Sequence, residues 1–137
     1  MTRAGATRIL VDSSLWIEYY RPDGRPQRRS AVREAVVQDI VTTTAMVAIE
    51  VLQGATTPDA FEALRDDFCA LHWLDVTRRM AERAARIGFD LHRRGQAVPA
   101  TNLMIAAAAL EHECQLWHLD EHFERIARVA PLKQKRL

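Results

Sequence analysis

The stretch Arg8-Ile9-Leu10-Val11-Asp12-Ser13-Ser14-Leu15-Trp16-Ile17 is an apolar triplet that ends in a carboxylate and runs at once into a segment with two hydroxyls. Ile9 to Val11 reads as a short, fully apolar strand, and Ser13 or Ser14 can cap the helix that follows. A strand that ends in a carboxylate and turns straight into a helix sets that carboxylate at the rim of a sheet. In open α/β sheets, ligands bind in the crevice at the carboxyl ends of the strands. Asp12 therefore points to a fold class and to a place for a site.

The rest of the chain repeats the alternation. Asp39-Ile40-Val41-Thr42 is a second short strand, rich in β-branched residues. His72 to Val76 and Gln115 to Leu119 are a third and a fourth, and Leu132 can begin an edge strand. Between them lie helical segments over Ala31 to Val37 and from a Thr43 or Thr44 cap to about Gln53, where Gly54 terminates it. Thr57-Pro58-Asp59 opens a helix carrying Phe61, Leu64 and Phe68, with proline in the favoured first position. Met80, Ala84, Ile87, Gly88 and Leu91 form a stripe of helical period, supported by the pairs Glu82 with Arg86 and Asp90 with Arg94. An Ala-rich helix spans Asn102 to His112 and a short one Glu121 to Val129. Pro22, Gly24 and Pro26 predict a long loop over Arg21 to Arg29. Strands alternating with helices predict an α/β fold, a three-layer α/β/α sandwich with a four- or five-stranded parallel sheet. One domain over 1–137 is expected, with an N-terminal extension at 1–7 and a basic C-terminal tail at 130–137.

Composition bounds the function. A chain of 137 residues, 48% of them hydrophobic, can bury a core and is not a disordered segment. The net charge of +1 excludes a global basic field, so any nucleic-acid surface is a local patch. The five basic residues from Arg125 to Leu137, with no acid among them, are either a solvated tail or a contact for RNA phosphates or an acidic partner. Cys69 and Cys114 form no CxxC pair and read as buried apolar fillers in a reducing compartment. Met1 to Thr7 is too short and polar for a signal peptide, and no apolar run approaches the roughly 20 residues that span a bilayer. A soluble cytoplasmic protein is expected.

Asp120 repeats the situation of Asp12, directly after an apolar strand and before a helix. Two carboxylates at neighbouring strand ends need neutralising, by a shared proton or a divalent cation, unless each is simply a helix N-cap. Glu50 sits in Met46-Val47-Ala48-Ile49-Glu50-Val51-Leu52, a helix otherwise apolar all round and so expected to be buried. A buried carboxylate there needs a cation, a hydrogen-bond network or a salt bridge to an arginine. Asn102 is the one polar side chain near the start of its helix that can point into a crevice; it offers a carbonyl oxygen without charge, or a cap. Oxygen donors at 12, 50, 102 and 120 suit Mg²⁺ or Mn²⁺. No zinc pattern competes: His118 and His122 are four apart, but His118 lies in the presumed strand, and HExxH is absent. Nor is there a P-loop, a GxGxxG or a GxSxG.

The order Val11-Asp12-Ser13-Ser14, Ile49-Glu50-Val51-Leu52-Gln53-Gly54, Pro99-Ala100-Thr101-Asn102-Leu103-Met104-Ile105-Ala106-Ala107 and Leu119-Asp120-Glu121-His122-Phe123 resembles the PIN-domain ribonucleases, and within them the VapC toxins of bacterial toxin–antitoxin pairs. The resemblance runs from Ile9 to about Leu132 and rests on the order and spacing of four motifs rather than on any one of them. It implies acidic residues clustered around Mg²⁺ or Mn²⁺, cleavage of RNA phosphodiesters, a homodimer and a small cognate VapB-like antitoxin that blocks the site. Asp12, Glu50 and Asp120 fall on family acidic positions. Asn102 stands where the family usually has Asp, and His122 where a further Asp is common.

The expected catalytic and metal-holding set is thus Asp12, Glu50, Asn102 and Asp120, with Ser13 or Ser14 orienting Asp12 and His122 near phosphate or in proton transfer. Asn102 removes one charge from the cluster, which predicts weaker metal binding and slower turnover. Arg21, Arg25, Arg28 and Arg29 in the loop and Arg93-Arg94 are candidates for RNA phosphate, each alternatively an ordinary surface arginine. Trp16, Tyr19 and Tyr20 can stack on bases, though their helical spacing suits a core or dimer contact better. A catalytically dead PIN module that binds RNA or antitoxin is the alternative. A flavodoxin-like phospho-acceptor domain is disfavoured, because no Asp ends a middle strand with a Lys following the last one.

Overall fold

The computed structural model describes residues 7–137. The expected N-terminal extension at 1–7 lies, Thr7 apart, outside the described residues. Five strands form one parallel sheet: β1 (Ile9–Val11), β2 (Val41–Thr43), β3 (His72–Trp73), β4 (Gln115–His118) and β5 (Gln134–Arg136), in the order β3-β2-β1-β4-β5. Seven helices connect and cover them: α1 (Ser13–Tyr20), α2 (Pro26–Val37), α3 (Ala45–Leu52), α4 (Pro58–Cys69), α5 (Arg78–Arg93), α6 (Ala100–Glu111) and α7 (Glu121–Ile126). The expected α/β class with a parallel sheet is the observed one. The strand order also separates this chain from flavodoxin-like receiver domains, whose order is 2-1-3-4-5.

The order decides where a ligand can sit. From the central β1 the chain moves outward through β2 and β3, then returns to the other side of β1 for β4 and β5. The switch point lies between β1 and β4, which pair with Val11 beside Trp117. Asp12 follows β1 and Asp120 follows β4 by one residue, so both carboxylates stand at the crevice such a reversal opens.

The core follows the periodicities. Leu10, Val11 and Leu116 of the two central strands are fully buried. The stripe Met80, Ala84, Ile87 and Leu91 packs α5 inward, and Ile105 to Ala109 bury the Ala-rich face of α6. Small side chains let α5 and α6 approach closely: a Cβ on Gly88 would stand 2.8 Å from Leu103 Cδ1. Trp16 is core, in ring contact with Tyr19, Tyr20 and Phe68, and Tyr20 donates to Asp67 at 2.9 Å, so Trp16 packs the interior rather than stacking on bases.

Several expectations change. Pro26 starts α2 as its first residue, which shortens the long loop to 21–25. Glu82 pairs with Arg78 at 2.8 Å and Asp90 with Arg86 at 3.2 Å, each one helical turn earlier than expected. Cys69 is exposed at the end of α4; only Cys114 is the buried filler. The basic tail is no free tail: residues 134–136 pair with β4, and Arg136 binds Glu124 at 2.6 Å. Among the described residues no helix is long and apolar enough to cross a membrane.

Candidate active site

Asp12 is the N-cap of α1, a role expected of Ser13 or Ser14. Its Oδ2 accepts the Ser14 backbone N–H at 3.0 Å and the Ser14 hydroxyl at 2.6 Å, while its backbone N–H extends the ladder to Trp117 O at 2.9 Å. Asp12 is 2% exposed. Burial pushes its carboxyl above the usual range, the Ser14 bonds pull it back, and the charge of Asp120 raises it further. Ser14 Oγ also accepts the Leu119 N–H at 3.0 Å, which ties the turn after β1 to the turn after β4.

Asp120 caps α7 by accepting the His122 N–H on Oδ1 at 3.0 Å. Its Oδ2 accepts the Asn102 amide at 3.0 Å. Burial raises this carboxyl, but the His122 N–H, the Asn102 amide and the His122 ring together outweigh burial and hold it below the usual range. His122 Nδ1 lies 2.9 Å from Asp120 Oδ1, within ion-pair distance but off the line of a hydrogen bond.

Glu50 is positioned by α3, whose exposed face the apolar sequence concealed. Ile49 is 58% exposed, so the helix is not buried all round and Glu50 is only half-buried. Its partner is Ser13, whose hydroxyl donates to Oε1 at 3.0 Å. Among the described residues no arginine stands within ion-pair distance of it. Burial raises the Glu50 carboxyl, Ser13 opposes that, and the charges of Asp12 and Asp120 add to the rise. The two serines thus divide their work: Ser14 orients Asp12 and Ser13 orients Glu50.

Asn102 sits in the first turn of α6, 9% exposed, and caps nothing; Pro99 holds the cap position without a side-chain bond. Its amide instead donates to Asp120 and favours the charged carboxylate there. The structure therefore brings positions 12, 50, 102 and 120 to one crevice at the carboxyl ends of β1 and β4. Among the described residues, however, no three Asp, Glu, His or Cys side chains close to the spacing of a metal cage.

The donor set still fits a hard divalent cation in kind and in charge. Three carboxylates, two of them raised by burial and by their neighbours' charge, are the arrangement that a cation relieves. Ser14 bonds Asp12 through Oδ2 and the Ser13 hydroxyl bonds Glu50 through Oε1, both single-sided attachments of the carboxylate side chains by neutral donors. Position 102 is the misfit, since its amide donates where a fourth carboxylate would attract a cation.

The arginines divide. Arg28 is held between Glu18, at 2.6 Å, and the Leu137 carbonyl, at 3.2 Å, and Arg29 donates through Nη2 to the Arg21 carbonyl at 2.7 Å. Arg21 and Arg25 are exposed at the α1–α2 turn. Arg93 lies over the Phe89 ring at 5.8 Å. Arg93 and Arg94 line a hollow with Arg128, which also lines a larger cavity of about 770 Å³ with Arg125 and Arg136 beside α7. Arg125, Arg128 and Arg136 belong to the basic run for which the sequence left open a solvated tail or a phosphate or acidic-partner contact, and the fold gathers them beside α7. Sequence reasoning missed His118, fully buried, whose Nδ1 accepts the Asp120 N–H at 3.0 Å. A polar ring in the apolar strand Leu116-Trp117-His118-Leu119 was the available signal, because such a group must be paired.

The PIN domain family matches residues 9–129. Ribonuclease VapC11 of Mycobacterium tuberculosis is 32% identical over 131 residues, which cover 91% of this chain and 96% of that protein. The chain belongs to the VapC ribonuclease family of the PIN domain. Ribonuclease VapC18 of the same organism is 28% identical over 123 residues, covering 87% of each chain. Among solved structures, VapBC2 from Rickettsia felis bound to a promoter DNA fragment superposes with a TM-score of 0.78 at 14% identity, covering 96% of this chain and 99% of that one. VapBC-5 from M. tuberculosis gives 0.71 at 22% identity, covering 96% and 100%. These two share the fold. The family match spans all four positions of the crevice, including Asn102.

Proposed function

We propose that this VapC-family chain is a cytoplasmic toxin-type endoribonuclease that depends on Mg²⁺ or Mn²⁺ and is weakened by Asn102. The observation that carries the reading is the convergence of the Asp12, Glu50 and Asp120 carboxylates at the switch point, with the Asn102 amide bonded to Asp120. The names of the VapC relatives as ribonucleases support the reaction class.

Asp12, Glu50 and Asp120 would hold the cation, with Asn102 able to add only a neutral oxygen after turning its amide. Such a cation supplies a more acidic bound water and stabilises charge on the scissile phosphate. The protein's own contribution is orientation. Ser14 fixes Asp12 and, through Leu119, the turn that carries Asp120; Ser13 fixes Glu50. Exposed Arg21, Arg25, Arg93 and Arg94, with Arg128, supply phosphate contacts, and His122 stands where a phosphate oxygen or a transferred proton can meet it.

Restoring the carboxylate tests this. Asn102→Asp with Mg²⁺ or Mn²⁺ is expected to cleave structured RNA about 10²-fold faster than the original chain, since each 1.36 kcal/mol of barrier is tenfold. Adding Asp12→Ala should abolish the gain. Absence of cleavage by either form sinks the nuclease reading.

The Asn102–Asp120 bond specifically favours a second reading, a PIN module that no longer cuts and binds RNA or antitoxin. Under both readings the partner is a small VapB-like antitoxin. An apolar groove of about 690 Å³ runs between α1, α3 and α4, past Ile17, Val51, Ala60 and Leu64, and Glu50 lines it. A segment seated there would cover the site, in keeping with the toxin–antitoxin complexes of similar fold. A homodimer is proposed on family likeness.

A further inference from the structure

His118 ends β4 with a fully buried imidazole, and the proposed mechanism does not use it. Three contacts hold the ring. The Asp120 backbone N–H reaches Nδ1 at 3.0 Å, Gln134 Oε1 lies 2.6 Å from Nε2, and the Phe123 ring is 5.1 Å away at a tilt of 56°. A backbone N–H only donates, so Nδ1 must accept, and the proton sits on Nε2 and goes to Gln134. The ring is thus a neutral bridge from the edge strand β5 to the main chain of Asp120. Without it, the Asp120 N–H would lose its partner beside a buried strand end.

We infer that His118, held by Gln134, is the positioning residue for Asp120. The bond fixes the backbone from which the Asp120 carboxylate reaches the Asn102 amide, 18 residues away in sequence. The adjacent Leu119 N–H is held by Ser14, so the two successive N–H groups after β4 are both fixed by side chains. Partners that orient a ligating carboxylate typically carry 10–100-fold of affinity or activity. The kinetic consequence rests on the nuclease reading; the placement of Asp120 does not.

The test therefore starts on the metal-free original chain. Its ¹⁵N NMR spectrum should show a coupling across the hydrogen bond between the Asp120 amide and His118 Nδ1, and a hydrogen-bonded Asn102 side-chain amide. His118→Leu should erase the coupling and return the Asn102 signal to that of a solvated amide. His118→Asn places an oxygen near the former Nδ1 and should keep the Asn102 signal. In the Asn102→Asp background, His118→Leu should lower kcat about 10–100-fold with KM for RNA little changed, and His118→Asn should recover most of it. Should His118→Leu not fold, Gln134→Leu, on the edge strand, is expected to weaken both signals. Absence of the coupling, or a folded His118→Leu protein that retains the Asn102 signal and the parent kcat, overturns the inference. If Asn102→Asp never cleaves while the NMR signals respond as stated, the nuclease reading falls and the placement of Asp120 by His118 stands.

Discussion

Asp12 and Asp120 occupy the same kind of position, yet their carboxyls are displaced to opposite sides of the ordinary range. Both cap a helix, but Asp12 is buried against one serine while Asp120 receives the Asn102 amide and the His122 N–H. The signs matter for stability. Because the folded Asp12 and Glu50 carboxyls lie above their ordinary range, the folded state binds more protons than the unfolded state between the ordinary and the raised values. Without metal, their contribution to stability therefore improves as pH falls from neutral toward the ordinary carboxylate pKa. Asp120, held low, contributes the reverse: stability present above 3.8 is lost as pH falls through its depressed value. Asp12→Asn keeps the helix cap and removes the buried charge. In EDTA at pH 7 it should raise Tm, and it should flatten the Tm rise on mild acidification, both read by thermal unfolding across pH. A lower Tm at pH 7 would contradict the buried-charge account. At this scale the acidic residues were legible because a polar residue closing an apolar strand has few reasons to be there. Glu50 was found for a partly wrong reason, since α3 exposes Ile49. Asn102 was legible as the one polar side chain near the start of its helix that could face the crevice, but its bond to Asp120 was not, because that partner lies on another element.

The boundaries of elements were less legible than their existence. Pro26 was read as a breaker and instead begins α2, the one helical position where its missing N–H costs nothing. The arginines of that segment found partners no local pattern announces, Arg28 above all, whose partners lie in α1 and at Leu137. The end of α5 is set by local chemistry. Gln96 N–H returns to Leu91 O and Gly95 N–H to His92 O, both at 2.9 Å, with Gly95 at φ +73°. This is a Schellman closure, and it needs a residue at ease in the left-handed region. Nothing lies within 4 Å of a Cβ there, so Gly95→Ala meets no clash and carries only the backbone strain. It should destabilise the chain by about 1–2 kcal/mol in urea unfolding. A cost of several kcal/mol would mean that Gly95 is constrained by packing instead.

For the molecule as a whole, the strand order does the positioning. A central β1 flanked by β2 and β4 places two independently read carboxylates beside each other. The helices then bring Glu50 from one side and Asn102 from the other. Alternation of strands and helices made the parallel sheet legible; which strands are neighbours is a matter of long-range pairing that periodicity does not encode. The edge strand expected from Leu132 is β5, which starts at Gln134 and spans three residues of polar sequence; its Gln134 reaches His118, a contact that periodicity could not announce. The crevice is proposed to be a divalent-cation site for phosphodiester chemistry, left one charge short at position 102. A Mn²⁺ titration by calorimetry, run side by side on the original chain and on Asn102→Asp, separates this from a purely structural cluster. Both should bind, Asn102→Asp about tenfold or more tighter, because one close charge–metal contact is worth at least the 1.4 kcal/mol that a tenfold difference represents. Equal affinities, or no Mn²⁺ binding by Asn102→Asp, would overturn the proposed cation site.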